Sequence, residues 1–342
     1  MESLTAKKQV VEAGNRLLET GLVARTWGNV SCRIDKETFA ITPSGRGYAS
    51  LDWSHIVEVK IADLSHDGSQ KPSSEVRIHA ELYKLRKDVN FVIHTHQENA
   101  SAVSAIGFDV IRLDHMYEYI GDEILCAEYA LPGTKKLCKN VVKSVLESKG
   151  KGVIMKNHGA LCFGESLAEA FAVASTLELA CSNYIDKKRQ RFGDSKAYED
   201  IEGEPIAFHS FKALQTAVGK GKFLVWNQDQ EVIRVSKLVS NMKPYVDDFA
   251  QIVGVKMLTI LDNLPKMKRM AEKNHTFFVF GKGAVCVGNT QADAEAASMI
   301  VRKNCKAFLG ITLFCKPKPI NMAESALMRL NYLKNYSKKA AE

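Results

Sequence analysis

The 342-residue chain predicts an α/β or α+β class, with part of the pattern present twice. Three observations predict this. Apolar runs of strand length alternate with amphipathic runs of helix length. Gly, Pro and Asn punctuate the junctions. Two blocks from the N-terminal half recur, in the same order, in the C-terminal half.

The first element is a helix over 4–20, where Val10, Val11, Leu17 and Leu18 share a face and Gly21 supplies the stop. "TWGNVSCRI" (26–34) and "TFAITPSGRG" (38–47) read as short strands joined by Gly- and Pro-marked turns. "SSEVRIHAELYKLRKD" (73–88) reads as a helix opened by Pro72 and two serines. "NFVIHTH" (90–96) is a strand, and "LPGTKKLCKNVVKSVLES" (131–148) is a helix entered after Pro132-Gly133. "KGVIMKNHGALCFG" (151–164) is a strand pair broken at Asn157-His158-Gly159. Ser166 and Glu169 have capping-box spacing for a long helix running to about residue 190. The charged stretch "KKRQRFGDSKAYEDIEGEPIA" (187–207), broken by Gly and Pro, reads as a linker.

Beyond it, "KFLVWNQDQE" (222–231) resembles "NFVIHTHQEN" (90–99). "FVFGKGAVCVGNTQADAEAASMIV" (278–301) resembles "GVIMKNHGALCFGESLAEAFAVAS" (152–175), and Ser166-x-x-Glu169 becomes Thr290-x-x-Asp293. The expected organisation is a domain over 1–195 and a truncated copy over 205–335 without the N-terminal strands. Laying Phe91 on Phe223 sets His94 against Trp226 and His96 against Gln228; laying Gly159 on Gly283 sets His158 against Lys282. The candidate imidazoles of the first copy are therefore missing from the second, which is expected to hold no metal.

The totals narrow the function classes. At 46% apolar and 25% charged residues the chain can fill two cores. The net charge of +8 is scattered, with no dense basic block, which fits attraction for small phosphorylated molecules better than nucleic-acid binding. The eight cysteines form no C-x-x-C and mostly lie in apolar runs, so buried reduced thiols are expected. No apolar run approaches 18 residues and the N-terminal stretch has no signal-like core, so a soluble, cytoplasmic, membrane-free protein is expected.

The chemistry gathers around His94-Thr95-His96. In a strand, residues i and i+2 point to one face, so two imidazoles can meet one ion. His158 lies in an Asn-His-Gly turn between two apolar strands, a turn expected to be exposed. Glu75 and His79 lie four residues apart and could share a helix face. Glu75 could equally complement the helix dipole, and Ser73 or Ser74 could simply cap. His55, His66, His209 and His275 have no such context and read as surface residues.

Four short motifs, "GNVS" (28–31), "TPSG" (42–45), "PSSE" (72–75) and "NHG" (157–159), together with His94-x-His96, resemble the class II aldolase/adducin family over about residues 1–190. The likeness is strongest to its L-fuculose-phosphate aldolase branch. It implies an α/β fold in α/β/α layers, with a central, mostly antiparallel sheet flanked by helices and, here, partially duplicated. It implies a divalent metal, Zn²⁺ or else Co²⁺ or Mn²⁺, on His94, His96 and His158, with Glu75 approaching the metal and serving as catalytic base. It implies phosphate binding by Asn29, Ser44, Gly45, Ser73 and Ser74, and a core or ligand-supporting place for His79. The family's tyrosine, lent by a neighbouring subunit, has no clear match: in "RLDHMYEYIGDE" (112–123) the position falls on Asp114 or His115, with Tyr117 and Tyr119 close by. Asp114 and Tyr117 are the candidate acids. The activity implied is a metal-dependent lyase that cleaves or forms a carbon–carbon bond in a ketose 1-phosphate through a metal-stabilised enediolate. A sugar-phosphate 4-epimerase and a non-catalytic adducin-like assembly protein are the alternatives. The implied partners are a phosphorylated sugar and a second copy of the chain, two chains making a pseudo-tetramer of domains.

Overall fold

The computed structural model describes residues 1–23, 27–192 and 209–335. They divide into two compact units, with the break at Tyr184/Ile185. The stretch 193–208, which holds most of the expected linker, lies outside the described residues, while Lys187–Phe192 continue a helix.

The first unit runs α1 (Ser3–Glu19), β1 (Asn29–Arg33), β2 (Thr38–Ile41), β3 (Val57–Lys60), α2 (Val76–Leu85), β4 (Phe91–Thr95), α3 (Glu98–Ser104), β5 (Val110–Tyr117), β6 (Gly121–Ala127), α4 (Lys135–Glu147), β7 (Gly152–Met155), β8 (Gly159–Gly164) and α5 (Leu167–Phe192). Its eight strands form one sheet in the order β3-β2-β1-β4-β8-β7-β6-β5. All neighbours are antiparallel except β6 and β7. The result is a mixed, mostly antiparallel α/β sheet flanked by helices.

Side-chain alternation sends β1 in two directions. Cys32 lies beside Gln9 of α1, whereas Ser31 meets His79 and Tyr83 of α2. On the α2 side, Phe39, Val92, Leu161 and Phe163 of the sheet pack against Ile78, Leu82, Leu137, Val141 and Val145 of α2 and α4. Each such fully buried side chain stabilises the fold by roughly 1.5–3 kcal/mol. α4 starts at Thr134, whose hydroxyl accepts from the Leu137 amide, just after Pro132-Gly133 as the sequence predicts. α2 begins later than its serines suggest: the helix opens at Val76 with Glu75 at its N-cap, and Ser73 and Ser74 stay in the preceding turn. At the head of α5 the expected capping box is half made. Ser166 Oγ accepts from the Glu169 amide, while the Glu169 carboxylate takes the Glu165 amide.

The second unit contains α6 (His209–Ala217), β9 (Phe223–Asn227), α7 (Gln230–Leu238), β10 (Asn241–Met242), α8 (Asp247–Ile252), β11 (Met257–Ile260), α9 (Leu264–Glu272), β12 (Phe277–Val279), β13 (Gly283–Gly288), α10 (Gln291–Thr312) and α11 (Met322–Asn335). Its five strands lie in the order β10-β11-β12-β13-β9, antiparallel except β11 with β12. Read from the other edge this is β9-β13-β12-β11-β10, which matches β4-β8-β7-β6-β5 strand by strand in order and direction. The registers agree too. Phe91 pairs with Gly164 and Phe223 with Gly288; His94 pairs with Leu161 and Trp226 with Val285. The capping box predicted for Thr290 and Asp293 is complete.

All eight cysteines are free thiols, seven of them buried and Cys315 exposed. Among the described residues no helix is long and apolar enough to cross a membrane.

Candidate metal centre

The centre is built where β1, β4 and β8 lie side by side. Asn29 pairs with His94 across the β1–β4 ladder, and His94 with Leu161 across β4–β8, so Asn29 and His94 project to the α2 side together. His96 follows the end of β4, where its backbone amide is tied to the Leu22 carbonyl at 3.0 Å. The next residue, Gln97, is anchored by a 2.9 Å bond from its amide to the Ala174 carbonyl of α5. His158 comes from the β7–β8 turn, where Asn157 takes a left-handed φ of 56°, a conformation Asn tolerates better than most residues. Glycine is required on both sides of β4. A Cβ at Gly159 would collide with the Thr95 carbonyl, and one at Gly28 (φ 74°) would sit 2.5 Å from the His94 carbonyl oxygen.

The three rings converge. Nε2 of His94 lies 2.9 Å from Nε2 of His96 and 2.9 Å from Nε2 of His158. One donor atom from each ring falls within 4.8 Å of the others. His94 Nδ1 lies 2.9 Å from the Ala160 carbonyl, which can only accept, so Nδ1 carries the proton and Nε2 presents its lone pair to the cluster. A tetrahedral zinc with Zn–N bonds of about 2.0–2.1 Å holds its nitrogens about 3.3 Å apart. The donor set therefore fits a divalent ion. His158 is only 3% exposed, which corrects the expectation of an exposed turn: the ring folds inward onto His94 and the Glu75 carboxylate.

Glu75 stands over this cluster, 6% exposed, with Oε2 3.3 Å from His94 Nε2 and Oε1 3.3 Å from His158 Nε2. Burial alone would raise its carboxyl. The imidazoles of His94 and His158 and the Asn29 amide outweigh that and hold it below the usual carboxylate range.

The expected phosphate residues are placed as follows. Pro43 and Pro72 form a β-bridge, the Ser44 amide donates to the Lys71 carbonyl, and the Ser73 amide donates to the Thr42 carbonyl. The "TPSG" and "PSSE" segments therefore lie against each other. Gly45 has φ 77°, Ser44 and Gly45 are half-buried, and Ser74 is exposed. Ser73 Oγ accepts from the Glu75 amide at 3.3 Å. Asn29 is buried, and its side chain is committed elsewhere: Nδ2 donates to Glu75 Oε2 at 3.0 Å and Oδ1 faces His79 Nε2.

Asp114 and Tyr117 are not brought to this centre within one chain. They sit on β5, the far edge strand, four strands from β4, or about 19 Å at the usual strand spacing. Asp114 is exposed, and the Tyr117 hydroxyl accepts from Asn183 at 2.9 Å while its ring stacks on His115. His66 and His275 are exposed and His55 is half-buried; the His209 side chain lies outside the described residues.

Two residues of the site escaped the sequence reading. Ser31 and Tyr83 join His79, which is fully buried. The signal was there in spacing: Asn29 and Ser31 are i, i+2 on a strand, and Glu75, His79 and Tyr83 are i, i+4, i+8 along a helix.

The class II aldolase and adducin N-terminal domain model matches residues 8–185. The chain belongs to this family. It is 31% identical over 186 residues to L-fuculose phosphate aldolase of Escherichia coli, a match that covers 54% of this chain and 85% of that protein. It is 27% identical over 202 residues to 5-deoxy-D-ribulose 1-phosphate aldolase of Bacillus thuringiensis, covering 59% and 93%. A solved L-fuculose 1-phosphate aldolase superposes with a TM-score of 0.51 at 30% identity, covering 56% of this chain and 88% of that one.

Proposed function

We propose that the chain is a class II aldehyde-lyase that cleaves, or forms, a carbon–carbon bond in a ketose 1-phosphate. The observation that carries this is the Glu75 carboxylate held against the convergent Nε2 atoms of His94, His96 and His158, in a chain whose relatives are named ketose-1-phosphate aldolases. The three imidazoles would hold a divalent ion such as Zn²⁺. When bound, such an ion supplies Lewis acidity to the substrate carbonyl. Glu75 moves the proton at the carbon beside that carbonyl, and its low exposure keeps bulk water from competing for it. Ser44, Gly45, Ser73 and Ser74 receive the phosphate, supported by their place on two segments bridged at Pro43 and Pro72. Asn29 serves Glu75 instead, since its amide is already engaged there.

The second unit is a degenerate copy of half of the first, and the chain reads as a catalytic domain over 1–195 followed by a copy over 205–335. Matching strand order, direction and register support this. With Trp226, Gln228 and Lys282 at the positions of the histidines, the copy offers no ion site of the same kind. Two chains associate, because Asp114 and Tyr117 could serve a histidine cluster only from another copy. A monomer by light scattering counts against that association.

The test is release of aldehyde and triose phosphate from a panel of ketose 1-phosphates. An inverted sugar with no released fragments replaces the lyase reading with an epimerase, and no turnover with any divalent metal removes both.

A further inference from the structure

We propose that His79, backed by Ser31 and Tyr83, is a positioning residue for Glu75, acting through the side-chain amide of Asn29. This rests on the reading of Glu75 as the proton-transfer group, and the hydrogen bonds fix its direction. An ionised carboxylate only accepts, so the Asn29 atom 3.0 Å from Glu75 Oε2 is Nδ2. The opposite end of that amide, Oδ1, then faces His79 Nε2, which must donate to it. A neutral imidazole with its proton on Nε2 has a bare Nδ1, and Ser31 Oγ lies 2.6 Å from it and donates. Ser31 Oγ has then spent its only proton, so the Tyr83 hydroxyl, 2.7 Å away, donates to it in preference to the Asn90 carbonyl at 3.3 Å. Every link from Tyr83 to Ser31, His79, Asn29 and Glu75 thus points the same way.

The surroundings hold this arrangement. His79 is completely buried, and burial takes its imidazole down to about 3, so it stays neutral and keeps one lone pair for Ser31. A flipped Asn29 amide would set an oxygen against the carboxylate and leave a donor facing the Nε2–H, losing two buried hydrogen bonds at once. The chain of bonds therefore pins Oε2 of Glu75 and leaves Oε1, 3.3 Å from His158 Nε2 and without a hydrogen-bond donor of its own among the described residues, as the oxygen free to take a proton. Co-alignment of such polar links strengthens each of them in a low-dielectric interior.

The first measurement is the tautomer of His79 in the full-length chain loaded with Zn²⁺ alone, by long-range ¹H–¹⁵N correlation. A protonated Nε2 is expected; a protonated Nδ1 overturns the proposal, whatever the protein's activity. The second is exchange of solvent deuterium into dihydroxyacetone phosphate, followed by NMR, which reads the proton transfer without the aldehyde. His79→Leu is expected to slow exchange tenfold to a hundredfold. Its KM for dihydroxyacetone phosphate and its affinity for Zn²⁺ alone should stay within about threefold of the parent. Folded His79→Leu with the parent's rate overturns the proposal, as does a loss confined to KM or to Zn²⁺ binding. Should His79→Leu fail to fold by circular dichroism, Ser31→Ala, which removes one hydroxyl, is expected to slow exchange about fivefold, and an unchanged rate there overturns the proposal equally. No exchange in the parent chain with Nε2 protonated overturns the aldolase reading, and with it the catalytic role of the chain of bonds. Normal exchange with Nδ1 protonated overturns the positioning role alone.

Discussion

Asn29 and His94 face each other across the β1–β4 ladder, so the residue hydrogen-bonded to the Glu75 carboxylate and a member of the histidine cluster are fixed by one backbone pairing. A strand pair holds such a relationship more tightly than two loops would, because a slip of one residue would send one of the two side chains to the opposite face of the sheet.

The ion should be lost with a single imidazole. His96→Ala is expected to weaken Zn²⁺ or Co²⁺ binding by at least about a hundredfold while the fold persists, because a three-ligand site with two ligands left has lost its chelate geometry. Titration calorimetry and elemental analysis of the purified variant measure this. One full equivalent of tightly held metal would place a second site elsewhere in the chain.

Glu75→Gln keeps the volume of the side chain and removes its basicity. Aldehyde release is expected to fall about a thousandfold, within the range for general acid–base groups, with Zn²⁺ still bound. Activity within tenfold of the parent would take the proton-transfer role away from Glu75.

Stability should fall on mild acidification. The His79 imidazole is held at about 3 in the folded chain against an ordinary value of 6.5, so the unfolded state binds the extra proton first. The contribution is complete above about pH 6.5 and is lost as pH drops toward 3, at up to roughly 1.4 kcal/mol per pH unit. Urea midpoints at pH 7 and pH 5 should differ more in the parent than in His79→Leu. Equal differences would assign the acid sensitivity to other groups.

Gly159→Ala should destabilise the first unit by about 1–3 kcal/mol, since the new methyl meets the Thr95 carbonyl and the backbone must move. Denaturant unfolding gives the number, and an unchanged midpoint would show that the turn can relax.

Most of the scaffold was legible because its signals are local. Pro132-Gly133 and Thr134 mark α4, Gly21 marks the end of α1, and Asn157-His158-Gly159 marks the β7–β8 turn. The histidine cluster was legible for a different reason: His94-x-His96 alone is a frequent coincidence, but it shares a motif set with His158 and Glu75. The burial of His158 was not, because a turn's polar sequence says nothing about which way its ring points. Nor was the engagement of Asn29, which depends on α2 crossing β1 at the height where Glu75, His79 and Tyr83 meet Asn29 and Ser31, a matter of packing between segments some fifty residues apart. The edge hairpin β5–β6 also escaped, since its alternation is broken by exposed residues and a register shift between Arg112 and Tyr117.

Gly283 occupies in β13 the place Gly159 holds in β8, and a Cβ there would run into the Asn227 carbonyl just as one at Gly159 runs into that of Thr95. Yet Gly283 has Trp226 nearby in the ladder where Gly159 has His94. The small residue is thus a demand of the strand crossing and not of the chemistry, and the second unit works as a built-in control. What both units share, the glycine at this crossing, follows from the architecture, and what only the first carries, the cluster of His94, His96 and His158, is what the proposed reaction depends on.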